Sequence, residues 1–252
     1  MQLGTLQLDV QDGIARVTID RPPVNAQNRQ MREEIVRIFD ALSDRDDVRV
    51  VVLHAAGKTF CAGADIKERR DIVKEPGDYL AHNRLTRESF YAISDCAKPV
   101  ICAVQGGAIG AGFVIMLAAD IMISSDDAWF RMPEIDVGLA GGGRFVEDAL
   151  GKSWARLMYF TGRKVPAAEL HRLGVISGMV PQDRLLDEAM EIAREIATKN
   201  PRGVAFVKRG FQVATGLPPR DAYRYEQTIT HALHATDETR ALQTDFIEKH
   251  KK

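Results

Sequence analysis

The chain has 252 residues, of which 45% are hydrophobic and 27% are charged, and its formal net charge is −1. This composition is typical of a soluble globular protein with a sizeable core, and the near-zero charge provides no bulk attraction to nucleic acid or a membrane surface. The three cysteines, Cys61, Cys96 and Cys102, have no framework spacing, which indicates free thiols in a reducing compartment. No signal-peptide pattern and no membrane-spanning stretch is evident, so we expect a cytoplasmic protein.

The first half of the chain alternates between strand and helix patterns. Apolar and polar residues alternate on both sides of Gln11-Asp12-Gly13, a sequence typical of a β-hairpin. Further along, apolar residues either recur at helical spacing or form short β-branched runs typical of buried strands. In chain order we expect strands at 4–10 and 14–19, a helix at 28–42, a strand at 48–53, a loop at 67–80, a helix at 81–95, a strand at 99–104, a helix at 110–118 and a strand at 121–124.

After about residue 150 the patterns are mainly helical. Residues 183–198 carry a clear apolar stripe, and a last helix is expected at about 237–250. The final helix ends in basic residues that include Lys249, which suits the negative end of a helix dipole. The chain is therefore expected to belong to the α/β class and to carry a helical C-terminal region.

Two glycine-rich segments, at 105–112 and 138–143, do not fit the nucleotide-binding motifs. The glycines of the first segment have the wrong order for a dinucleotide fingerprint, and Val146 occupies the position where a P-loop needs glycine. No metal site is expected either, because the sequence has no paired cysteine motif and no H-E-x-x-H.

The first glycine-rich segment joins an expected strand to an apolar helix. The N–H groups at the start of a helix have no intrahelical acceptor, and together with the helix dipole they form a site for negative charge. Small residues at 106–112 allow a ligand to approach the backbone closely. A second donor could come from the similarly small residues at 61–64. Two such amides could stabilise a developing oxyanion.

Eight runs of residues, in order along nearly the whole chain, together resemble the enoyl-CoA hydratase/isomerase (crotonase) family. The runs at 60–68 and 98–112 are similar to the loops that provide the family's oxyanion hole, and the run at 130–138 is similar to the segment with a catalytic glutamate. The runs are 60–68 (FCAGADIKE), 98–106 (KPVICAVQG), 108–112 (AIGAG), 119–121 (ADI), 130–138 (FRMPEIDVG), 161–163 (TGR), 167–176 (AAELHRLGVI) and 246–249 (FIEK).

The resemblance implies a spiral of ββα units in residues 1–195, which carry the acyl-CoA site, and a helical region in 196–252 for oligomerisation into trimers or hexamers. It implies an acyl-CoA substrate and no cofactor beyond the coenzyme A of that substrate. By the same likeness the oxyanion hole consists of the N–H groups of Ala62 and Ala111. Coenzyme A would be bound by Ala62, Gly63, Ala64, Asp65, Ile66 and Lys249.

The reaction depends on two positions. The family's hydratases hold water between two glutamates, and Val114 stands where the first would be, whereas Glu134 supplies the second. Valine neither accepts a proton nor orients water. The family's isomerases use one glutamate to move a proton between carbons 2 and 4, so the catalytic set implied is Glu134 with the two amides. Asp136 is either a second acid or, as we favour, part of a structural ion pair.

Two alternatives stay open beside an enoyl-CoA isomerase. The chain could be a hydratase, lyase or hydrolase of the same family in which another residue replaces the missing carboxylate. It could also bind CoA thioesters with little turnover. Position 114 separates the first alternative from the isomerase, and Glu134 separates both enzymes from the binding protein.

Overall fold

The computed structural model describes residues 3–72 and 74–250, and the chain divides into two units, Met1–Ile196 and Ala197–Lys252. The first is a mixed α/β unit built on two sheets. Its strands are β1 (Leu6–Gln11), β2 (Ile14–Ile19), β3 (Val50–Ala55), β4 (Val100–Val104), β5 (Gly107–Ile109), β6 (Ile121–Ser125), β7 (Trp129–Arg131), β8 (Val165–Pro166) and β9 (Gly178–Val180). Its helices are α1 (Arg29–Asp44), α2 (Ile66–Ile72), α3 (Asp78–Ser94), α4 (Ala111–Leu117), α5 (Gly143–Thr161), α6 (Ala167–Arg172) and α7 (Leu185–Ala197).

The larger sheet has six strands in the order β1-β2-β3-β4-β6-β9. Only β1 and β2 pair antiparallel, and Asp12 and Gly13 between them both have positive φ, as a tight hairpin turn requires. The other pairs are parallel. Every residue of β4 is buried, which explains its continuous apolar sequence. The expected α/β class and the crotonase-like spiral are confirmed.

The smaller sheet has the order β5-β7-β8, and it determines the position of the site. Strands β5 and β7 run parallel, with Ile109 opposite Arg131. Because parallel strands end at the same edge, the residues that follow them, Gly110 and the turn at Pro133, leave the sheet side by side. A hydrogen bond of 2.8 Å from the Gly110 N–H to the Arg131 carbonyl oxygen holds them together.

The loop expected at 67–80 is wrong, because residues 66–72 form helix α2 and α3 begins at Asp78. The segment after Asp65 is rich in charges and has no apolar stripe, so its periodicity gives no helical signal. The Asp65 side chain supplies the missing stabilisation: its Oδ1 accepts a hydrogen bond of 3.1 Å from the Glu68 N–H, as at a helix N-terminus.

The described part of the second unit carries the helices α8 (Pro201–Ala214), α9 (Pro219–His234) and α10 (Asp237–Lys249). Proline stands in the first turn of both α8 and α9, where its missing N–H costs nothing. Among the described residues, no helix combines the length and the apolar character needed to span a membrane.

A buried carboxylate, Glu34 of α1, fastens the start of β1 to that helix. One of its oxygens accepts hydrogen bonds from the N–H groups of Thr5 (2.9 Å) and Leu6 (3.2 Å) and from the Thr5 hydroxyl (2.6 Å). The other accepts from the Gly4 N–H at 2.8 Å and from Gln30 at 2.9 Å. Burial opposes ionisation, but these bonds together outweigh it and hold the pKa of Glu34 below its ordinary value.

We predict that Glu34→Gln lowers the free energy of unfolding at pH 7 by about 1–3 kcal/mol, because an amide turns an N–H group toward donors that need an acceptor. The depressed folded-state pKa means that wild type loses this advantage as pH falls below 4.5, so the two curves converge in acid. Urea unfolding of both proteins, from pH 7 to below pH 4.5, measures this difference in the free energy of unfolding. Glu33→Gln, exposed on the same helix and paired with Arg29, is the control. An equal loss in both variants would contradict the prediction.

Candidate active site

A cavity of about 350 Å³ opens in the first unit beside the amino end of α4. Its walls come from α1, α2, α3, α4, the turn at Glu134 and the glycine-rich start of α5. The lining residues are Arg32, Ala64, Arg69, Tyr79, His82, Asn83, Thr86, Arg87, Phe90, Tyr91, Ala111, Val114, Glu134, Leu139, Ala140, Gly141, Gly142, Arg144 and Phe145.

Ala64 and Ala111 line this cavity, and each has a backbone amide that is not used in the part of the fold that the structure describes. Ala111 is the first residue of α4, so its N–H has no acceptor within the helix. Gln27 pairs with the residues on either side of Ala64: its N–H donates to the Gly63 carbonyl oxygen at 2.7 Å, and its carbonyl oxygen accepts from the Asp65 N–H at 2.9 Å. The N–H of Ala64 itself takes no part in this pairing. Neither amide has an acceptor among the described residues, so both are available to a ligand oxygen.

Gly63 lets the two amides approach each other. A Cβ at this position would lie 2.7 Å from the Ile109 carbonyl oxygen and 3.6 Å from the Ala111 nitrogen. No side chain fits there, so the loop before Asp65 packs directly on the backbone that leads into α4. The isolated bridge between Cys61 and Ala108 continues the same contact.

The assignment of Ala62 as the first oxyanion donor is wrong. Its N–H donates a hydrogen bond of 3.0 Å to the Val24 carbonyl oxygen, and the residue does not line the cavity. Gly63, at φ 88°, turns the backbone between the two alanines, so that Ala64 presents its amide instead. Ala111 lines the cavity where the resemblance placed it.

The Glu134 carboxylate lies against the amino end of α4. One of its oxygens, Oε2, is buried and has no hydrogen-bond partner among the described residues. The other is so close to Gly110 that a Cβ there would overlap it. Burial raises the pKa of Glu134 above its ordinary value, because water no longer stabilises the charged form. A carboxylate with this environment is suited to exchange protons with a ligand.

The wall beside Glu134 is apolar where a second acid could have stood. Val114 is 1% exposed and lines the cavity. A Cβ on Gly142 would lie 2.5 Å from Val114 Cγ2, so a side chain at that position has no room. Among the described residues that line the cavity, Glu134 is the only carboxylate.

Asp136 takes no part in the cavity. Its carboxylate pairs with Arg131 at 2.8 Å, and the side chain is half-exposed. Residues Glu134–Val137 form a 3₁₀ turn, in which residues two apart point in different directions. The structural ion pair, which was the favoured interpretation of Asp136, is confirmed.

The remaining residues assigned to coenzyme A are Asp65 and Ile66 in the first unit and Lys249 in the second. Asp65 pairs with Arg21 at 2.8 Å, which with its backbone bonds holds the pKa of Asp65 down against burial. Ile66 is 45% exposed at the start of α2. Lys249 belongs to the second unit, where it pairs with Asp245 at 2.6 Å. Their contact with coenzyme A stays a prediction.

Sequence reasoning missed the basic residues of the cavity, namely Arg32, Arg69, His82, Arg87 and Arg144. Most are scattered among helix positions that carry no motif. Arg32 did leave a signal, because it falls on the same face of α1 as Ile35 and Phe39, three and seven residues later. A charged residue within an apolar stripe is unusual and points to a buried polar contact.

We predict that Gly110→Ala displaces the Glu134 carboxylate toward water and so lowers its pKa toward 4.5, the ordinary value. The added methyl group would occupy the space of the carboxylate oxygen, and φ 53° with ψ −121° is strained for alanine. Carbon-detected NMR titration of the carboxyl group measures the change. Gly57→Ala, at φ 81° with open space around it, is the control and should leave Glu134 unchanged. An unchanged titration in Gly110→Ala would refute the placement.

Comparisons with known proteins agree with this geometry. The model of the family described as "Enoyl-CoA hydratase/isomerase" matches residues 9–252. A protein of Rhodococcus jostii (strain RHA1), named "(7aS)-7a-methyl-1,5-dioxo-2,3,5,6,7,7a-hexahydro-1H-indene-carboxyl-CoA hydrolase", is 34% identical over 94% of this chain and 92% of its own length. A Rhizobium meliloti (strain 1021) protein named "Probable enoyl-CoA hydratase" is 32% identical over 100% and 98%.

Solved structures show the same similarity in three dimensions. An enoyl-CoA hydratase from Mycobacterium smegmatis has a TM-score of 0.93 with 29% identity, covering 98% of this chain and 97% of its own. Human enoyl Coenzyme A hydratase domain-containing protein 3 has a TM-score of 0.92 with 27% identity, covering 98% and 99%. With two free amides and a buried carboxylate around one cavity, this chain belongs to the enoyl-CoA hydratase/isomerase family and is an acyl-CoA-processing enzyme.

Proposed function

We propose that the enzyme moves the double bond of an enoyl-CoA between carbons 3 and 2 by means of one glutamate. One observation carries this proposal: among the described residues that line the cavity, Glu134 is the single carboxylate, and the buried Val114 stands where a second one would be needed for hydration. Hydration needs a water molecule held and activated from two sides, and valine has no group to hold one. A double-bond shift needs only one base.

The isomerisation can be described with the residues of the cavity. The N–H groups of Ala64 and Ala111 would bind the thioester oxygen and stabilise the negative charge that develops when a proton leaves carbon 2. Glu134 would take that proton and return it to carbon 4. The raised pKa of Glu134 supports both halves of the transfer, because a carboxylate with a raised pKa is a stronger base and takes the proton from carbon 2 more readily, and its acid form can then protonate carbon 4.

Hydrolysis is the second candidate, and it is supported by the names of two relatives. The Rhodococcus jostii protein and one from Mycobacterium tuberculosis, 31% identical over 94% of this chain, are both named carboxyl-CoA hydrolases. In a hydrolase the same amides would stabilise an oxyanion and Glu134 would activate water. The two candidates differ in their products, because an isomerase conserves the mass of the substrate and a hydrolase adds water.

We predict that Glu134→Gln lowers kcat on a 3-enoyl-CoA by about 10²-fold or more, the usual contribution of a general base. Glutamine retains the shape of the side chain but cannot take a proton, so the binding of the thioester should change little. Product analysis by mass spectrometry and chromatography over a panel of 2-enoyl- and 3-enoyl-CoAs gives both the rate and the reaction class.

Asp136→Asn is the matched control, since that carboxylate pairs with Arg131 outside the cavity, and it should retain most of the activity. Wild-type kcat/KM should fall as pH drops through a midpoint above 4.5, because burial raises the pKa of the base that must be ionised. A Glu134→Gln enzyme that still isomerises at near the wild-type rate would rule out the single-base reaction.

We further propose that the chain assembles as a trimer or hexamer through its second unit. That unit leaves large apolar side chains uncovered, which is costly unless a partner buries them. They are Val207, Phe211, Tyr223, Leu242, Phe246 and Ile247, each at least 49% exposed.

The predicted assembly would appear in static light scattering as a particle of three or six times the mass of one chain, 27.9 kDa. Phe211→Asp should shift the population toward smaller species, because a buried unpaired charge disfavours association. Arg209→Gln, on the same helix, lowers the net charge by the same one unit and is the control for the change of charge alone. A stable monomer at micromolar concentration would contradict the assembly.

A further inference from the structure

Arg32 is the most unusual charged residue of the cavity. It is 1% exposed, yet it lines the cavity from α1. Its Nη2 donates a hydrogen bond of 3.0 Å to the Gln27 carbonyl oxygen, whereas its Nε is buried and has no partner among the described residues. A guanidinium has five N–H donors and stays charged, so most of its bonding capacity is unused.

The nearby acids do not form an ion pair with Arg32. Glu68 and Asp65 lie close enough for their charges to oppose the lowering of its pKa, which burial dominates. Both carboxylates are already bound, however. Glu68 accepts a hydrogen bond of 2.7 Å from the Arg29 N–H, and Asp65 pairs with Arg21 at 2.8 Å. A charge held in a buried position without a matching partner is costly, and such groups commonly serve a ligand.

The other basic groups around the cavity differ from Arg32. Arg87 and Arg144 are exposed and pair with Glu88 at 2.9 Å and Asp148 at 2.7 Å. His82 adds no charge at neutral pH, since burial and then the charges of Arg32 and Arg69 lower its pKa to about 4. Arg69 stacks over the ring of Tyr79 and donates to its hydroxyl at 3.1 Å. Among the described residues that line the cavity, Arg32 is therefore the buried cation without a counter-ion.

We propose that the acyl group of the substrate carries a carboxylate and that Arg32 binds it. The substrate class is thus a CoA thioester of a dicarboxylic acid, bound with its thioester oxygen at Ala64 and Ala111 and its free carboxylate at Arg32. The fork of N–H donors on a guanidinium matches the two oxygens of a carboxylate. This inference rests on the proposed function insofar as the acyl chain must enter this cavity, and it holds for isomerisation and hydrolysis alike.

The test compares two saturated thioesters of equal chain length, glutaryl-CoA and pentanoyl-CoA, by isothermal titration calorimetry. Neither has a double bond, so binding is separated from isomerisation. Glutaryl-CoA should bind about tenfold or more tightly than pentanoyl-CoA, the scale of one charge-assisted bidentate contact. Arg32→Gln should abolish this preference and leave the affinity for pentanoyl-CoA nearly unchanged. Arg32→Lys retains the positive charge but not the two parallel N–H donors of a guanidinium, so it should retain part of the preference for glutaryl-CoA.

Arg29→Gln is the matched control, because Arg29 lies one turn earlier on the same helix, is exposed and pairs with Glu33. It should retain the full preference, and thermal unfolding checks that each variant is folded. Equal affinity of wild type for the two thioesters would overturn the inference and leave the proposed function standing. Failure of both thioesters to bind would overturn both. The wild-type comparison needs no variant, so it remains decisive even if Arg32→Gln does not fold.

Discussion

The site depends on the parallel pairing of two very short strands, β5 and β7. This pairing brings Gly110 and the turn at Glu134 out of the sheet at the same edge, and the Gly110 N–H bonds to the Arg131 carbonyl oxygen at 2.8 Å. Helix α4 starts at this point, so the carboxylate meets the free N–H groups of a helix start. The loop at Gly63 packs on the same backbone and adds the second amide. Each contact needs a glycine, because any side chain would separate the backbones.

The cavity concentrates polar groups that the fold leaves unsatisfied. Two backbone amides lack acceptors, a carboxylate oxygen of Glu134 lacks a donor, and the Nε of Arg32 lacks a partner, all among the described residues. Each buried polar group of this kind costs stability, and a native fold contains few of them. Their collection around one cavity fits the proposed ligand, whose thioester oxygen would meet the amides, whose acidic C–H would meet the carboxylate and whose free carboxylate would meet the guanidinium.

The cavity combines backbone groups with side chains. The amides of Ala64 and Ala111 are backbone groups, so the side chains at these two positions can change without loss of the two N–H donors. Glu134, Val114 and Arg32 contribute side chains to the cavity. The proposed reaction depends on the first two, and the proposed substrate class depends on Arg32.

The sequence by itself determined the hairpin, the buried strands, the helical stripes and the family, since these follow from local periodicity and from runs of adjacent residues. It also pointed to Glu134 and Ala111, which lie within such runs, and to Val114, which stands two residues after one of them. Tertiary structure decided three other points. It showed that Ala64 rather than Ala62 offers its amide, because the direction of an N–H depends on the φ of 88° at Gly63 and on the acceptor at Val24.

Tertiary structure also showed that residues 66–72 are helical, because a side-chain bond from Asp65 replaces the apolar stripe that sequence analysis requires. It placed Arg32, whose helix is far from Glu134 along the chain, in the same cavity as that glutamate. The sequence reveals the structure that residues close together in the chain adopt. Which buried groups stay without a partner is decided only when distant segments pack together, because hydrogen-bond satisfaction is a property of the whole fold.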